Sequence, residues 1–365
     1  MRILDNYNEI SSHEISPEEM RETFIQKYKE NTGNKKVLYI HTPYCNGKCR
    51  FCICPSISYR KLEDVKNFAK NILPGQLNLY REIFDEISFD EIYFGGGTPT
   101  LLSAKELSEI FAIIPGFDSI PVKSMEGSPN TLAFEHLDLL KEYDFSFLSL
   151  GVQSLDRNLL SYHRRVYIPP KQLTFLSDTI REREIYFNMD LICYLGPGDI
   201  TEIPDFKKDL EFVLRDCRPS SVTIHQHLQA RFTREKTELL IRLIREMLDI
   251  YPEYECVNSL LSDEEIERDT IYRAEYRLVR EKREFRHYLC TKYPSVPVPG
   301  SDVLAIGWLD EENMPARGNQ GIVSIKSNAG NLLYEPAKKS MHTVEFPKEL
   351  IEEERSIRKA KGLPV

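Results

Sequence analysis

Four cysteines fall within ten residues of one another: Cys45, Cys49, Cys52 and Cys54. The segment reads Cys45-Asn46-Gly47-Lys48-Cys49-Arg50-Phe51-Cys52-Ile53-Cys54, a C-x3-C-x2-C-x-C spacing. Thiolates this close can wrap one face of an iron–sulfur cubane, whose irons prefer thiolate ligands. Three thiolates leave one iron open to a ligand that is not protein. Zinc is the rival reading, since it also accepts thiolates. Structural zinc sites usually pair two separated C-x2-C knuckles, and no second knuckle follows here. The spacing favours the cluster. The other four cysteines, Cys193, Cys217, Cys256 and Cys290, are scattered and read as small buried hydrophobes.

A second motif is Gly95-Gly96-Gly97-Thr98-Pro99-Thr100. Adjacent glycines let a ligand approach the backbone and expose its N–H and C=O groups. Alone this is a weak signal, because glycine-rich turns are common. Further along, Glu126 ends one apolar run, Gln153 follows the next, Asp190 lies within another, and Arg165 stands beside Arg164 between them. A carboxylate there can pair with a cationic amino group, and a carboxylate or amide can accept from hydroxyls. Arg165 offers a bidentate fork for a carboxylate. Each also has an ordinary reading: a solvated glutamate, a hydrogen-bonded buried aspartate, an exposed Arg164-Arg165 pair. His225 and His227 share one strand face and are as suited to structural hydrogen bonds as to substrate.

The elements that must position these groups alternate. Val37–Ile40, Glu91–Phe94, Val122–Glu126, Phe147–Leu150, Tyr186–Cys193 and Ser221–Leu228 read as short buried strands. Helical stretches separate them, at about 62–87, 103–114, 130–143, from 155 on, 203–216 and 233–250. Such alternation predicts a parallel sheet with right-handed crossovers, and chemistry at the carboxyl ends of the strands. The motifs sit just after strands. The expected fold is α/β, a partial (β/α)6 barrel over residues 37–230. Residues 1–36 form an N-terminal helical segment, opened by Ser16-Pro17-Glu18-Glu19. Residues 231–344 are expected as a smaller, mainly helical C-terminal domain and 345–365 as a charged tail.

The chain has 365 residues, 41% of them hydrophobic, enough for a sizeable core. Its 48 basic and 57 acidic residues give a net charge of −9. An acidic protein has no electrostatic preference for nucleic acid or an anionic membrane, although the local run His163-Arg164-Arg165 could bind an anion. No segment has the apolar core of a signal peptide and no run is long enough to cross a bilayer. The expected location is cytoplasmic, where thiols stay reduced and a disulfide is disfavoured.

Taken in order, these motifs resemble the oxygen-independent coproporphyrinogen III oxidase branch of the radical S-adenosylmethionine superfamily, with its class C radical methyltransferase relatives. The resemblance rests on Tyr39-Ile40-His41-Thr42-Pro43-Tyr44-Cys45, the cysteine loop, Gly95–Thr100, Leu150-Gly151-Val152-Gln153-Ser154 and Asn188-Met189-Asp190-Leu191-Ile192. It fades beyond about residue 230, with a weaker echo at Gly300–Gly307. It implies a [4Fe-4S] cluster on Cys45, Cys49 and Cys52, with S-adenosylmethionine on the open iron. Cys54 matches a fourth, non-ligating cysteine with a catalytic role. Tyr39, Gly96, Gly97, Glu126, Gln153, Arg165 and Asp190 match positions that hold S-adenosylmethionine, and Phe51 would flank its adenine. Ile192 matches a position beside a second S-adenosylmethionine. The implied partners are a small-molecule substrate and an external one-electron reductant such as flavodoxin or ferredoxin, with no nucleic acid and no membrane.

The departures bear on the reaction. The N-terminal segment is short beside the porphyrinogen oxidases, and residues 231–365 match theirs poorly. The related heme chaperones carry an aromatic residue at the position of Cys54 and a later His-Asn-x-x-Tyr-Trp type motif, both absent here. Radical methylation or cyclopropanation with two S-adenosylmethionines is therefore the first expectation. Oxidative decarboxylation of a porphyrinogen propionate is second, and a non-enzymatic heme-trafficking role third.

Overall fold

A computed structural model describes residues 11–15, 17–30, 32–52, 56–195, 203–226, 234–257, 275–281, 301–307, 323–327, 330–335 and 340–345. The chain divides into two compact units. Residues 1–46, 53–125 and 287–365 make the first, and residues 47–52 and 126–286 the second.

The described elements begin with β1 (Ser11–Ile15), α1 (Pro17–Glu30), β2 (Lys35–Thr42), β3 (Tyr44–Cys45) and β4 (Ile57–Ser58). Next come α2 (Leu62–Asn67), α3 (Leu73–Leu79), α4 (Arg81–Glu86), β5 (Glu91–Gly96), α5 (Ala104–Ile113) and β6 (Val122–Gly127). They continue with α6 (Phe134–Glu142), β7 (Phe147–Gln153), α7 (Arg157–Tyr162), α8 (Pro170–Glu182), β8 (Phe187–Cys193), α9 (Ile203–Phe212) and β9 (Ser221–Gln226). The last are α10 (Arg234–Ile250), β10 (Glu255–Cys256), β11 (Glu275–Val279), β12 (Ser301–Ile306), β13 (Val323–Ser327), β14 (Gly330–Glu335) and β15 (Ser340–Glu345).

All six expected strands form, and the α/β class holds. In the first unit β2 lies between β5 and β12, parallel to both, and β5 is parallel to β6. From β12 outward the strands β13, β14, β15 and β1 pair antiparallel. In the second unit β7, β8 and β9 are parallel, and β11 and β10 add to β9 antiparallel. Parallel strands buried on both faces should read as unbroken apolar runs, and Val37, Leu38, Tyr39 and Ile40 are all buried.

The C-terminal region departs from expectation. From residue 231 on, the described residues hold one helix, α10, and six strands, β10–β15, rather than a mainly helical domain. The charged residues around β11 imitate a helical surface, yet Tyr276 and Leu278 are fully buried and the strand pairs with β9. The apolar run at Val303 becomes the buried strand β12, since length and apolar content alone do not separate a short strand from a helical turn. The long helix at 62–87 is broken. A wider π turn fills Phe68–Ile72, and Pro74, which has no N–H to donate, sits in the first turn of α3. The charged tail, Ser16, His227 and Cys290 lie outside the described residues. Among the described residues no helix is long and apolar enough to cross a membrane.

The core of the first unit gathers Val37, Tyr39, Tyr93 and Val303 from β2, β5 and β12, with Tyr39 and Tyr93 stacked at 6.0 Å between ring centroids. In the second unit Cys193 and Cys217 are buried, as the reading of scattered cysteines requires, whereas Cys256, on the short outer strand β10, is only half-buried and departs from it. Burial pushes the Cys217 thiol up to about 12, so it is an inert packing group.

The glycines after β5 serve packing. The Gly97 N–H donates to the Thr42 carbonyl at 2.6 Å, and the Thr98 N–H to Tyr44 at 2.9 Å. A Cβ on Gly97 would overlap the Tyr44 carbonyl, and one on Gly307 would overlap that of His41. The backbone of residues 41–44 is thus clasped by two glycine turns, one beyond β5 and one beyond β12. Gly97→Ala should cost about 1–3 kcal/mol, the usual price of overpacking against unyielding backbone. Gly33→Ala, where a Cβ meets nothing within 4 Å, should stay within about 0.5 kcal/mol. Denaturant unfolding of both variants checks this; equal stability would show that the clasp is not tight.

Candidate cluster and cofactor site

The first cysteine is positioned by the first unit. Cys45 ends β3 and is buried. Its carbonyl accepts from the Tyr59 N–H at 3.2 Å, and its Sγ accepts from the Thr98 hydroxyl at 3.5 Å. The residue after the three glycines thus binds the first thiolate position directly. Tyr39 is fully buried, with its hydroxyl 3.3 Å from His41 Nδ1. Gly96 has φ +104°, and a Cβ there would strike the His41 ring. Tyr39, Gly96 and Gly97 therefore act first as packing around residues 41–44, a role their resemblance to cofactor positions did not suggest.

The other two cysteines belong to the second unit, where the loop 47–52 is fastened to the end of α7. Asp156 caps α7 by accepting from the Leu159 N–H at 2.7 Å. At the other end the Arg164 N–H donates to Ser161 at 2.9 Å and the Arg165 N–H to Leu160 at 2.8 Å. This is a Schellman motif, with Arg164 in the left-handed position at φ 57° where glycine is the usual residue. It turns successive arginines apart: Arg164 is exposed and Arg165 half-buried. The cysteine loop seats on this corner. The Arg50 N–H donates to the His163 carbonyl at 3.1 Å, and the Arg50 guanidinium lies 4.7 Å from the Tyr162 ring centroid. Phe51 packs on the His163 ring at 5.2 Å. The imidazole Nε2 of His163 is hydrogen-bonded to the Leu195 carbonyl, which fixes the ring.

Arg165 reaches from this corner to the site. Its Nη1 donates to Cys49 Sγ at 3.7 Å, and its Nη2 donates to Ser128 Oγ at 3.4 Å and to the Gly151 carbonyl. A guanidinium carries five N–H donors, so these contacts leave others for a ligand carboxylate. The ends of both side chains meet above Gly151: a Cβ there would lie 2.7 Å from Gln153 Nε2 and 2.9 Å from Arg165 Nη2 and would push them aside.

Gln153 is the clearest ligand-seeking group. It sits at φ 73°, and the β7–β8 register shifts between Gly151 and Gln153. Bulges of this kind re-aim a side chain, and left-handed non-glycine residues cluster at binding sites. Its Oε1 is buried and has no hydrogen-bond partner. A buried unsatisfied acceptor costs about 1–3 kcal/mol, and a hydroxyl on a bound ligand removes that cost. This orphaned oxygen beside Arg165 fits a ligand with hydroxyls and a carboxylate, as S-adenosylmethionine has.

Asp190 stands at the centre of a polar ladder. Its carboxylate accepts from the Ser149 hydroxyl at 3.0 Å and from Asn188 Nδ2 at 2.7 Å, and lies 3.7 Å from His225 Nε2. Asn188 also donates to Ser149 Oγ and accepts from the Ser221 and Thr223 hydroxyls, which uses its full hydrogen-bonding capacity. These residues share one face of β7, β8 and β9, since alternate strand residues point the same way. Half-buried Ile192 lies on that face too, paired across strands with His225. Glu126 is half-buried near the end of β6.

Sequence reasoning missed Thr98, Ser128, Ser149 and Asn188. The last two carried a signal: Asn188 stands two residues before Asp190 in an otherwise apolar strand, and Ser149 is the polar residue of the neighbouring run that pairs with Asn188. Cys54 lies outside the described residues. Among the described residues no three His, Cys, Asp or Glu side chains gather as a single metal ion would need. A cubane makes a different demand, since its cysteines bind different irons.

Known proteins resemble this chain over its first two-thirds. Residues 39–202 match the model of the Radical SAM superfamily. Over those residues the chain is similar to the radical S-adenosylmethionine domain. Its homologues include the oxygen-independent coproporphyrinogen III oxidase of Helicobacter pylori, 29% identical over 58% of this chain and 48% of that protein. The heme chaperone HemW of Bacillus subtilis is 31% identical over 45% of this chain and 43% of that protein. The chain spans about half the length of the curated relatives it matches. The structure of coproporphyrinogen III oxidase from Escherichia coli superposes with a TM-score of 0.66, covering 89% of this chain and 75% of that one at 16% identity. At that identity the likeness establishes the fold.

The strained Gln153 supplies a test. Gln153→Gly removes both the left-handed strain and the orphaned oxygen, so stability should be equal or higher by up to about 1 kcal/mol. S-adenosylmethionine affinity of the cluster-loaded chain should fall by about ten-fold or more. Calorimetric binding beside a melting curve reads both. Unchanged affinity would show that the orphaned acceptor faces no ligand.

Proposed function

We propose that this chain is a radical S-adenosylmethionine enzyme acting on a porphyrinogen-like small molecule, with oxidative decarboxylation of a propionate as its reaction. The observation that carries the cofactor reading is the buried, partnerless Oε1 of Gln153 beside Arg165. The comparisons favour the second of the expected reactions over the first. The curated homologues are named as coproporphyrinogen oxidases and heme chaperones, and methyl transfer rests on Ile192 and on the divergence of the N-terminal segment and of residues 231–365.

When bound together, a [4Fe-4S] cluster and S-adenosylmethionine supply a 5′-deoxyadenosyl radical by one-electron cleavage of the cofactor. Cys45, Cys49 and Cys52 would hold the cluster. The Thr98 hydroxyl and the Arg165 guanidinium would hydrogen-bond two of its sulfurs, one of the means by which proteins set cluster potentials. Gln153 would accept a ligand hydroxyl. The spare donors of Arg165 and the carboxylates of Glu126 and Asp190 would orient the charged end and the ribose. Ser149 and Asn188 hold the Asp190 carboxylate in one orientation, which prepares it for a ligand before binding. Phe51, seated on His163, would border the adenine. Decarboxylation converts a propionate to a vinyl group and carbon dioxide; one hydrogen atom would pass to the 5′-deoxyadenosyl radical and one further electron to an external one-electron acceptor. Cys54 is the proposed non-ligating cysteine near the substrate. An external one-electron carrier is the proposed reductant.

Two other outcomes remain measurable. Anaerobic incubation with coproporphyrinogen III and methyl-deuterated S-adenosylmethionine separates all three. Decarboxylation should give a vinyl product, carbon dioxide and unlabelled 5′-deoxyadenosine. Deuterium in 5′-deoxyadenosine together with S-adenosylhomocysteine would instead establish the methyl-transfer chemistry. Heme binding with no cofactor cleavage would establish the carrier.

A further inference from the structure

The chain is acidic overall, yet its sign reverses beside the cysteine loop. Residues 47–52 and 157–171 hold Lys48, Arg50, Arg157, Arg164, Arg165 and Lys171, and no aspartate or glutamate. The structure brings these two segments together. Arg50 bonds His163 and lies over Tyr162, a Cβ on Gly47 would sit 3.6 Å from the Arg164 carbonyl, and Arg165 reaches Cys49. Arg165 turns inward. Lys48, Arg50, Arg157 and Arg164 are exposed, and so are two large apolar side chains among them, Tyr162 at 46% and Val166 at 54%. Aromatic and apolar contact area with a charged surround is the composition of a protein-docking surface.

We propose that this face, formed by Lys48, Arg50, Arg164, Tyr162 and Val166, docks an acidic one-electron carrier protein that reduces the cluster. The inference rests on the cluster reading above and adds the place and charge of the partner. Position argues for it. Lys48 and Arg50 stand on the same loop as Cys49 and Cys52, and Arg164 lies against that loop, so a carrier seated here comes close to two of the three thiolates. Charge argues for it as well. A net charge of −9 repels an acidic carrier at long range, and salt screens that repulsion beyond about 8 Å. Within that distance the local cations dominate, select the orientation and raise the encounter rate. The transfer is balanced: the carrier is oxidised by one electron and the cluster reduced by one. Exposure of the cations separates this surface from the inward-facing Gln153 and Asp190.

The test uses the full chain with Lys48→Glu and Arg164→Asn combined. Asparagine tolerates the left-handed backbone at 164, so the corner is kept. An acidic flavodoxin is the probe. Its binding is read from flavin fluorescence with and without a cluster, so failure of the docking surface and failure of the cluster reading are separate results. At low ionic strength the variant should bind and be reduced about five-fold or more slowly, with the difference vanishing in high salt. Reduction by methyl viologen radical, a small cation, should not slow. Equal flavodoxin binding by both chains would overturn the proposal. So would coproporphyrin III binding that weakens in the variant while flavodoxin binding does not, since the patch would then serve carboxylates of a small ligand.

Discussion

The structure turns on backbone contacts at His41–Tyr44 that glycine alone permits. The turn after β5 donates two N–H groups to this stretch, at 2.6 and 2.9 Å, and Gly307 after β12 presses on it from the other side. Those contacts fix where β2 ends and where Cys45 begins the cysteine loop. The Thr98 hydroxyl, one residue past the glycines, then reaches the Cys45 sulfur. The glycine run thus holds the protein to itself before it meets any ligand. A side chain at Gly97 would disturb the first thiolate through the backbone, with no ligand involved.

The second unit solves a different problem, that of aiming polar groups from apolar strands. It does so in two ways. Ser149, Asn188, Ser221 and Thr223 satisfy one another around Asp190, which makes burial of a carboxylate tolerable. Gln153 is handled oppositely: the bulge and left-handed backbone leave its acceptor buried and unmet. A satisfied network fixes orientation and an unsatisfied atom waits for a partner. Arg165 links the two behaviours, since it is anchored on Gly151 and Ser128 while it contacts Cys49.

Much of this was legible in the residues. The six parallel strands followed from apolar runs of four to eight residues between helical stretches, and the cysteine spacing needed no structure. The C-terminal strands were not legible. Tyr276 and Leu278 alternate in a background of arginine and glutamate that reads equally as a helix face, and pairing with β9 decides the matter. The Schellman corner was hidden because Arg164 occupies the position where glycine would have marked a helix end. The split of Arg164 and Arg165 into one exposed and one inward residue follows from that corner and from nothing in their sequence. The order of the expected reactions is where sequence and comparisons pull apart: the divergent C-terminal region favours methyl transfer, whereas the similarity of the first two-thirds is to proteins named as coproporphyrinogen oxidases and heme chaperones.

The central claim is that Cys45, Cys49 and Cys52 hold a cubane with an open iron. Iron and acid-labile sulfide analysis of the anaerobically reconstituted chain, with electron paramagnetic resonance of its reduced form, measures it most directly. The account predicts about four iron and four sulfide per chain and a spectrum that changes when S-adenosylmethionine is added. Both should be lost when the three cysteines are replaced by alanine. Stoichiometric zinc with no labile sulfide, or a cluster that survives the triple substitution, would contradict it.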